Sequence, residues 1–359
     1  MATKVVLLLG AGATVSDVAT KPRKDRPPLD RRFFAEARLT HPLLVSQVRR
    51  YVLDTYNHDI LIGANDRLEA VMGQIYTDLF NPLLADDALT AFRRLLSLFT
   101  RRLATTTNGI HATNKRLVYR VVAHYLSSGV RPKDLTIITF NQDIQVEKIL
   151  YLMSTVNRWS LIADQIFAFP HLYGLPAATE LSAIPGSTDL LPRGGDPNNC
   201  IRLLKLHGSL NWYSSHSSPE PSRSAMFKQS RVIRINRNYR IDPSMTLLST
   251  QRAMYTLPVI VPPVSHKSAV LHDDMIDIWR LSEQRLRAAD EIIIFGYSCP
   301  ILDVESSNQL RRSQVSRSGD AHISVIDPAS AVAQRYIGLL EATCLHYYAS
   351  AHAFLGDIA

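Results

Sequence analysis

The chain has 359 residues, enough for one large domain with insertions or for two domains sharing a core. Hydrophobic residues make up 46% and charged residues 20%, a globular balance that excludes a largely disordered chain. No apolar run approaches the roughly 18 residues that span a bilayer, and the formal charge of +8 raises an anionic partner, nucleic acid or ligand phosphate, against plain solvated basic loops.

In chain order, Lys4 to Leu9 is a leucine and β-branched run that reads as a strand. It ends in Gly10-Ala11-Gly12-Ala13-Thr14, a glycine turn opening a helix near Val15. The start resembles an export signal only superficially, because the run is short and offers no cleavage site, so a cytoplasmic protein is expected. Residues 20–32 hold three prolines and six basic residues and read as a loop. Its Lys21 to Arg26 run has no aromatic interleaving, so direct nucleic-acid binding is not expected.

From Phe33 to Ser128 the pattern is helical. Leu68, Val71, Met72, Ile75, Tyr76 and Leu79 recur at three- and four-residue steps, as do Phe92, Leu95, Leu96, Phe99 and Leu103, and then Leu117, Val118, Val121, Val122 and Tyr125. Leu135 to Thr139 is a second core strand, ending in Phe140-Asn141-Gln142-Asp143 before a helix that runs through Leu152. Residues 170–200 are rich in proline and glycine and read as irregular. Ile201 to Leu206, broken only by Arg202 and Lys205, is a buried strand that ends on His207-Gly208-Ser209. Residues 213–230 are polar and read as a loop, Val232 to Ile235 as a short strand, and Leu257 to Val261 as an apolar segment.

The last third alternates: helix over 269–289, strand Glu291 to Phe295 before Gly296-Tyr297-Ser298, helix from 303, strand His322 to Ile326 before Asp327-Pro328, helix over 329–342. Such alternation predicts an α/β fold, a Rossmann-like parallel sheet with helices on both faces. The expected organisation is a nucleotide-binding domain from 1–32 and 129–350, an inserted helical subdomain at 33–128, and an irregular insertion at 213–255. Cys200, Cys299 and Cys344 form no CxxC pair, and the 12 histidines show no metal-ligand spacing, so neither a disulfide framework nor a metal is expected.

In a parallel sheet the polar strand ends share one edge, where ligands bind. Gly10, Ala11 and Gly12 suit close approach of backbone to a pyrophosphate, but GxG without a third spaced glycine reads equally as a tight turn. Asn141 and Asp143 can offer an amide and a carboxylate to one pocket, or cap a helix. Gly296 and Ser298 suit phosphate contact or a strand–helix turn. Asp327 suits a ribose hydroxyl or a helix cap. His207 is a candidate base, or a satisfied histidine at a strand end.

The ordered set Gly10–Thr14, Thr139-Phe-Asn-Gln-Asp143, Lys205-Leu-His-Gly-Ser-Leu-Asn-Trp212, Phe295-Gly-Tyr-Ser298 with Asp303, and Ile326-Asp-Pro328 resembles the SIR2 (sirtuin) superfamily. It is more closely similar to SIR2-like NAD+ hydrolase domains of bacterial antiphage systems. The resemblance spans residues 4 to about 345 in islands; the helical block and 213–255 carry no family motif. It implies that Asn141 positions the attacking water, that Asp143 holds the nicotinamide carboxamide, and that His207 is the base on the ribose hydroxyls. Gly10, Ala11, Gly12 and Thr14 would line the pyrophosphate and ribose, with Thr139, Gly208 and Ser209 lining the same site. Gly296 and Ser298 would contact phosphate and ribose, Asp327 the adenosine ribose, and Phe33 or Phe34 would shield the reacting ribose carbon.

Two departures bear on activity. No cysteine lies between Cys200 and Cys299, so the four-cysteine zinc module that shapes the acyl-lysine channel of deacylases is missing. The Gly-Ile-Pro-Asp-Phe-Arg stretch of deacylases is replaced by Pro27-Pro28-Leu29-Asp30-Arg31-Arg32-Phe33-Phe34. The resemblance therefore implies an enzyme that takes NAD+ as substrate without a metal and hydrolyses it to ADP-ribose and nicotinamide. Such an effector of abortive antiphage infection would be held in check by oligomerisation or by a defence partner, an ATPase or helicase or an Argonaute-like protein. The alternatives are an NAD-dependent deacylase or ADP-ribosyltransferase, and a non-catalytic NAD+ or ADP-ribose sensor.

Overall fold

The computed structural model describes residues 3–17, 32–62, 67–175, 180–182, 190–216, 233–237, 241, 255–261, 273–300, 303–315, 321–342 and 345–358. The strands are β1 (Val5–Leu9), β2 (Leu135–Thr139), β3 (Glu180–Ser182), β4 (Arg202–Lys205), β5 (Gly208–His216), β6 (Ile233–Asn236), β7 (Tyr255–Ile260), β8 (Glu291–Phe295), β9 (His322–Ile326) and β10 (Leu345–Tyr348).

Six of them form a parallel sheet in the order β10–β9–β8–β1–β2–β4. All five residues of β1 and of β2 are buried. A parallel strand covered on both faces reads as a continuous apolar run, not an alternation, which is why VVLLL and LTIIT sit at the centre. The half-exposed β10, with sequence LHYY, closes one edge; it was not expected, since an edge strand has no apolar run to announce it.

Chain order and spatial order part company at β1. From β1 the chain builds outward to β2 and β4, then returns to the other side of β1 to lay down β8, β9 and β10. This is the strand order of dinucleotide-binding folds, and it puts a topological switch point between β1 and β8. The register is level: Leu9 lies opposite both Thr139 and Phe295, Thr139 opposite Lys205, and Phe295 opposite Ile326. Gly10, Phe140, Leu206, Gly296 and Asp327 therefore emerge along one edge.

Between β1 and β2 the chain forms α1 (Ala11–Asp17), α2 (Phe33–Thr40), α3 (Pro42–Tyr56), α4 (Leu68–Asp78), α5 (Ala85–Asn108) and α6 (Leu117–Ser127). α5 runs for 24 residues and buries Ala88, Ala91, Phe92, Leu95, Leu98, Phe99 and Leu103 against α3 and α4. α6 behaves differently: it packs on α1, on α7 (Gln145–Ser154) and on the helix Ala351–Asp357, and so serves the sheet as the crossover between β1 and β2. Sheet and helical block share one continuous apolar core. No helix among the described residues is long and apolar enough to cross a membrane.

A second, four-stranded sheet in the order β3–β6–β5–β7 was not foreseen. The stretch after His207 does not subside into a loop at 213. β5 runs on to His216, with Tyr213 opposite Arg234 and Pro258 and Ser214 opposite Ile233 and Leu257. Polar residues make a strand here because their backbone is paired on both sides, a condition that local sequence does not express. Asn108, closing α5, ties this region to the helices: its amide donates to the Ile241 carbonyl at 2.5 Å and accepts from the Ile241 N–H at 2.9 Å.

Candidate active site

The site is assembled at the switch point by three turns. The first follows β1, where the Gly10 N–H donates to the Phe295 carbonyl at 3.1 Å and the Gly12 N–H to the Gly296 carbonyl at 2.9 Å. A Cβ on Gly10 would lie 2.5 Å from the Gly296 oxygen, and one on Gly296 2.3 Å from the Ala13 nitrogen. Gly296 also has φ +62°, a conformation that costs a side chain extra energy. These glycines are thus needed for two turns to touch each other. The Gly12 and Ala13 amides are already bonded within the protein, Ala13 N–H to the Gly10 carbonyl at 3.0 Å, while Ala11 is exposed at the rim.

The second turn follows β2. The Asn141 backbone N–H donates to Thr139 Oγ1 at 3.1 Å. Its side-chain Nδ2 donates to the Gly10 carbonyl at 3.0 Å and to Thr14 Oγ1 at 3.1 Å. A carbonyl can only accept, so this contact settles which end of the amide is nitrogen. With Nδ2 so engaged, Oδ1 of Asn141 is the end of the amide that can accept a hydrogen bond. Thr14 in turn donates its hydroxyl to Asp143 Oδ2 at 3.2 Å, which completes a directional chain from Asn141 to Asp143 through Thr14. The other oxygen of Asp143 accepts from the Gln145 N–H at 2.9 Å at the first residue of α7, whose N-cap position is Ile144.

Beneath this turn lies a buried polar network that none of the sequence motifs marks. Lys205 Nζ donates to Glu147 Oε1 at 2.8 Å and also to the Asp143 carbonyl, with both side chains almost wholly buried. Tyr173 donates its hydroxyl to the same Glu147 oxygen at 3.0 Å and accepts from Asn211 Nδ2 at 3.1 Å. Burial pushes the Tyr173 phenol well above its ordinary range, and the Glu147 charge adds to this, so it remains a donor. The clue is in the sequence: a lysine flanked by Leu204 and Leu206 in a buried strand requires a buried partner.

The third turn carries His207, between the two sheets. Leu206 N–H donates to the Thr139 carbonyl at 3.0 Å and Val261 N–H to the His207 carbonyl at 3.0 Å, so the histidine backbone is clamped from both sides. Gly208 has φ +74°, and a Cβ there would meet the Val259 oxygen at 2.0 Å. The glycine after the histidine is required by the passage of β7. The imidazole lies edge-on to Phe140 at 5.2 Å, and Phe140 stacks on Tyr297 at 3.8 Å. Nε2 of His207 is 3.7 Å from Asp303 Oδ2.

The structure thus gathers Thr14, Thr139, Asn141, Asp143 and His207, all buried, around the β1, β2 and β4 ends. Ser209 is buried in β5. Ser298 is exposed, and its backbone carbonyl accepts from Arg335. Asp327 is half-buried beyond β9 and accepts from the Ala329 N–H at 2.9 Å; burial raises its carboxyl above the usual range. Phe33 and Phe34 pack edge to face at 5.2 Å, Phe33 also meets Phe99, and both rings are enclosed in the apolar core, where they offer almost no surface to a substrate. The stretch 27–31 lies outside the described residues, as do Cys344 and residues 217–232. Among the described residues, no group of three or more His, Cys, Asp or Glu side chains gathers in a way that could hold a metal ion.

No protein family and no curated protein matches the chain. Solved structures of Sir2 proteins are similar to it at low identity. A Sir2 homologue mutant in complex with ADP-ribose is 13% identical over 99% of this chain and 90% of that one, with a TM-score of 0.41. A Sir2 complex with a p53 peptide and NAD+ is 11% identical over 99% and 92%, at 0.39. A structure described under the mechanism and regulation of Sir2 enzymes is 10% identical over 99% and 90%, at 0.43.

Proposed function

We propose that this protein is an NAD+ glycohydrolase, cleaving NAD+ to ADP-ribose and nicotinamide. The observation that carries the reading is the Asn141–Thr14–Asp143 chain facing the switch point, beside a buried histidine and in the motif order of SIR2-like NAD+ hydrolases.

The glycosidic nitrogen of NAD+ is cationic and leaves as neutral nicotinamide, so the leaving group needs no acid. As the bond from the ribose carbon to nitrogen breaks, nitrogen takes the electron pair; the water oxygen bonds to that carbon and releases a proton. Asn141 Oδ1 orients the water, its amide held from behind by Gly10 and Thr14. Asp143 retains lone pairs beyond the two bonds it already accepts and receives the carboxamide of nicotinamide. His207 polarises the ribose hydroxyls. The Phe140–Tyr297 stack keeps water from its flank, so that charge building on the sugar is met by preorganised groups rather than by bulk solvent.

Unrestrained NAD+ loss is lethal to a cell, which fits a cytoplasmic effector of antiphage defence controlled by self-association or by a defence partner. Large apolar side chains standing exposed on the helical block, Leu39, Leu43, Phe80 and Leu83 among them, support a contact role for that block.

The test is nicotinamide release from NAD+ by purified protein across a concentration series, with light scattering on the same samples. Release that disappears in Asn141→Ala and His207→Ala supports the reading. Variants as active as the parent would overturn the site, and a monomer at every concentration would count against control by self-association.

A further inference from the structure

We propose that Asp303 is the residue that positions His207, setting the orientation of its ring and the nitrogen that carries its proton. The kinetic consequence rests on the NAD+ glycohydrolase reading; the geometric claim does not.

Asp303 is itself buried, 2% exposed, at the start of the helix Val304–Val315. Its two oxygens have separate partners. Oδ1 accepts from the Ser306 hydroxyl at 2.6 Å and the Ser306 N–H at 3.4 Å, an ordinary arrangement for capping a helix. Oδ2 accepts from the Tyr297 hydroxyl at 2.7 Å and faces His207 Nε2 at 3.7 Å. Capping accounts for Oδ1 alone. It would be served as well by asparagine or serine, and it gives no reason for a carboxyl group in a dry place. The second oxygen, aimed at the imidazole, does.

The surroundings hold this geometry. With Oδ1 tied to Ser306, the carboxylate cannot turn without breaking its cap. Tyr297 is pinned by its stack on Phe140, and burial, reinforced by the Asp303 charge, keeps its phenol protonated and donating. Trp279 lies 6.4 Å from the His207 ring on a further side, its own N–H donated to the Leu206 carbonyl at 2.9 Å. In so water-poor a box a carboxylate acts strongly on a neighbouring imidazole. A separation of 3.7 Å is an ion-pair contact longer than a hydrogen bond, and such contacts shorten when substrate closes a site. A carboxylate beside Nε2 selects the tautomer with hydrogen on Nε2, which leaves the lone pair on Nδ1 as the acceptor for a ribose hydroxyl.

Asp303→Asn retains an acceptor for Ser306 and removes the charge, while Asp303→Ala removes both. His207 ring nitrogens are followed by 15N NMR, assigned by their loss in His207→Gln, together with nicotinamide release and melting temperature. We expect the parent to show hydrogen on Nε2. In Asp303→Asn we expect the ring signature to move and kcat to fall at least about tenfold, with KM and melting temperature little changed. An Asp303→Asn protein with parental ring signals and parental kcat overturns the proposal, as does activity lost only in Asp303→Ala alongside a drop in melting temperature. Should the parent release no nicotinamide, the ring signature decides alone: movement sustains the positioning role, and no movement overturns it.

Discussion

The two halves of the sheet's carboxyl edge are built on opposite principles. On the side of β1, β2 and β4, side chains do the work: Asn141, Asp143, Thr14 and His207 are buried, and Lys205 and Glu147 are buried beneath them. On the side of β8, β9 and β10, buried Tyr297 and Asp303 turn toward His207, and the remaining polar groups are backbone or more open to solvent: the Gly296 turn, exposed Ser298 and half-buried Asp327. On the proposed function, the contrast would suit a dinucleotide with one reacting end and one end that is only held. Groups that must meet developing charge need immobile partners and little water, whereas groups that grip a ribose or phosphate can exchange with solvent. Gly10, Gly12 and Gly296 are the joint between the halves.

The largest expected effect tests the reacting half directly. On the proposed function, Asn141→Ala and His207→Ala should each lower kcat by about 10²–10⁴-fold, while Ser298→Ala, on the holding half, should leave kcat within about twofold, as nicotinamide release under saturating NAD+ will show. Equal losses in all three would erase the distinction.

Next is the buried pair. Lys205→Ala strands the Glu147 carboxylate and should cost about 3–5 kcal/mol in chemical denaturation. The double replacement Lys205→Met with Glu147→Leu should regain much of that stability yet not the activity, since the Asp143 carbonyl loses its donor as well. A double variant as unstable as the single would mean that the pair is not coupled.

The joint can be probed by adding a methyl group. Gly296→Ala meets both a positive φ and the Ala13 nitrogen, and should destabilise by about 2–4 kcal/mol and abolish NAD+ binding. Gly129→Ala has φ +91° but open space around it, so only the conformational term remains, about 1–2 kcal/mol, with binding intact.

The smallest effect belongs to Asp327. Burial raises its folded-state carboxyl, so the native state holds the proton more tightly than the unfolded chain does. The sign follows: its contribution to stability worsens as pH rises above the ordinary carboxylate range. Asp327→Asn should therefore gain in melting temperature over the parent as pH rises from about 4 to about 7. On the proposed function it should raise KM for NAD+ by a few-fold with kcat unchanged. A melting-temperature difference that stays flat with pH would remove Asp327 from the buried set.

What the chain determined by itself is the sheet and the identity of its polar ends. Buried parallel strands are written mainly as apolar runs, so β1, β2, β8 and β9 were legible, as was β4 despite Arg202 and Lys205, and the polar or glycine residues that follow each run mark the edge. Tertiary structure decided the rest. β10 and the extension of β5 to His216 depend on backbone pairing with segments distant in sequence, which polar or half-exposed residues do not signal. Lys205 and Glu147 stand 58 residues apart, and only the pairing of β2 with β4 brings the lysine under α7. Phe33 or Phe34 reads as a ribose shield from the sequence; that both rings lie in the helical core, Phe33 against Phe99, was decided by packing. His207 was visible as a histidine at a strand end; that it faces a carboxylate was settled by the packing of Asp303 and Tyr297 beside it, because a contact between residues so far apart in the chain exists only once the sheet has closed.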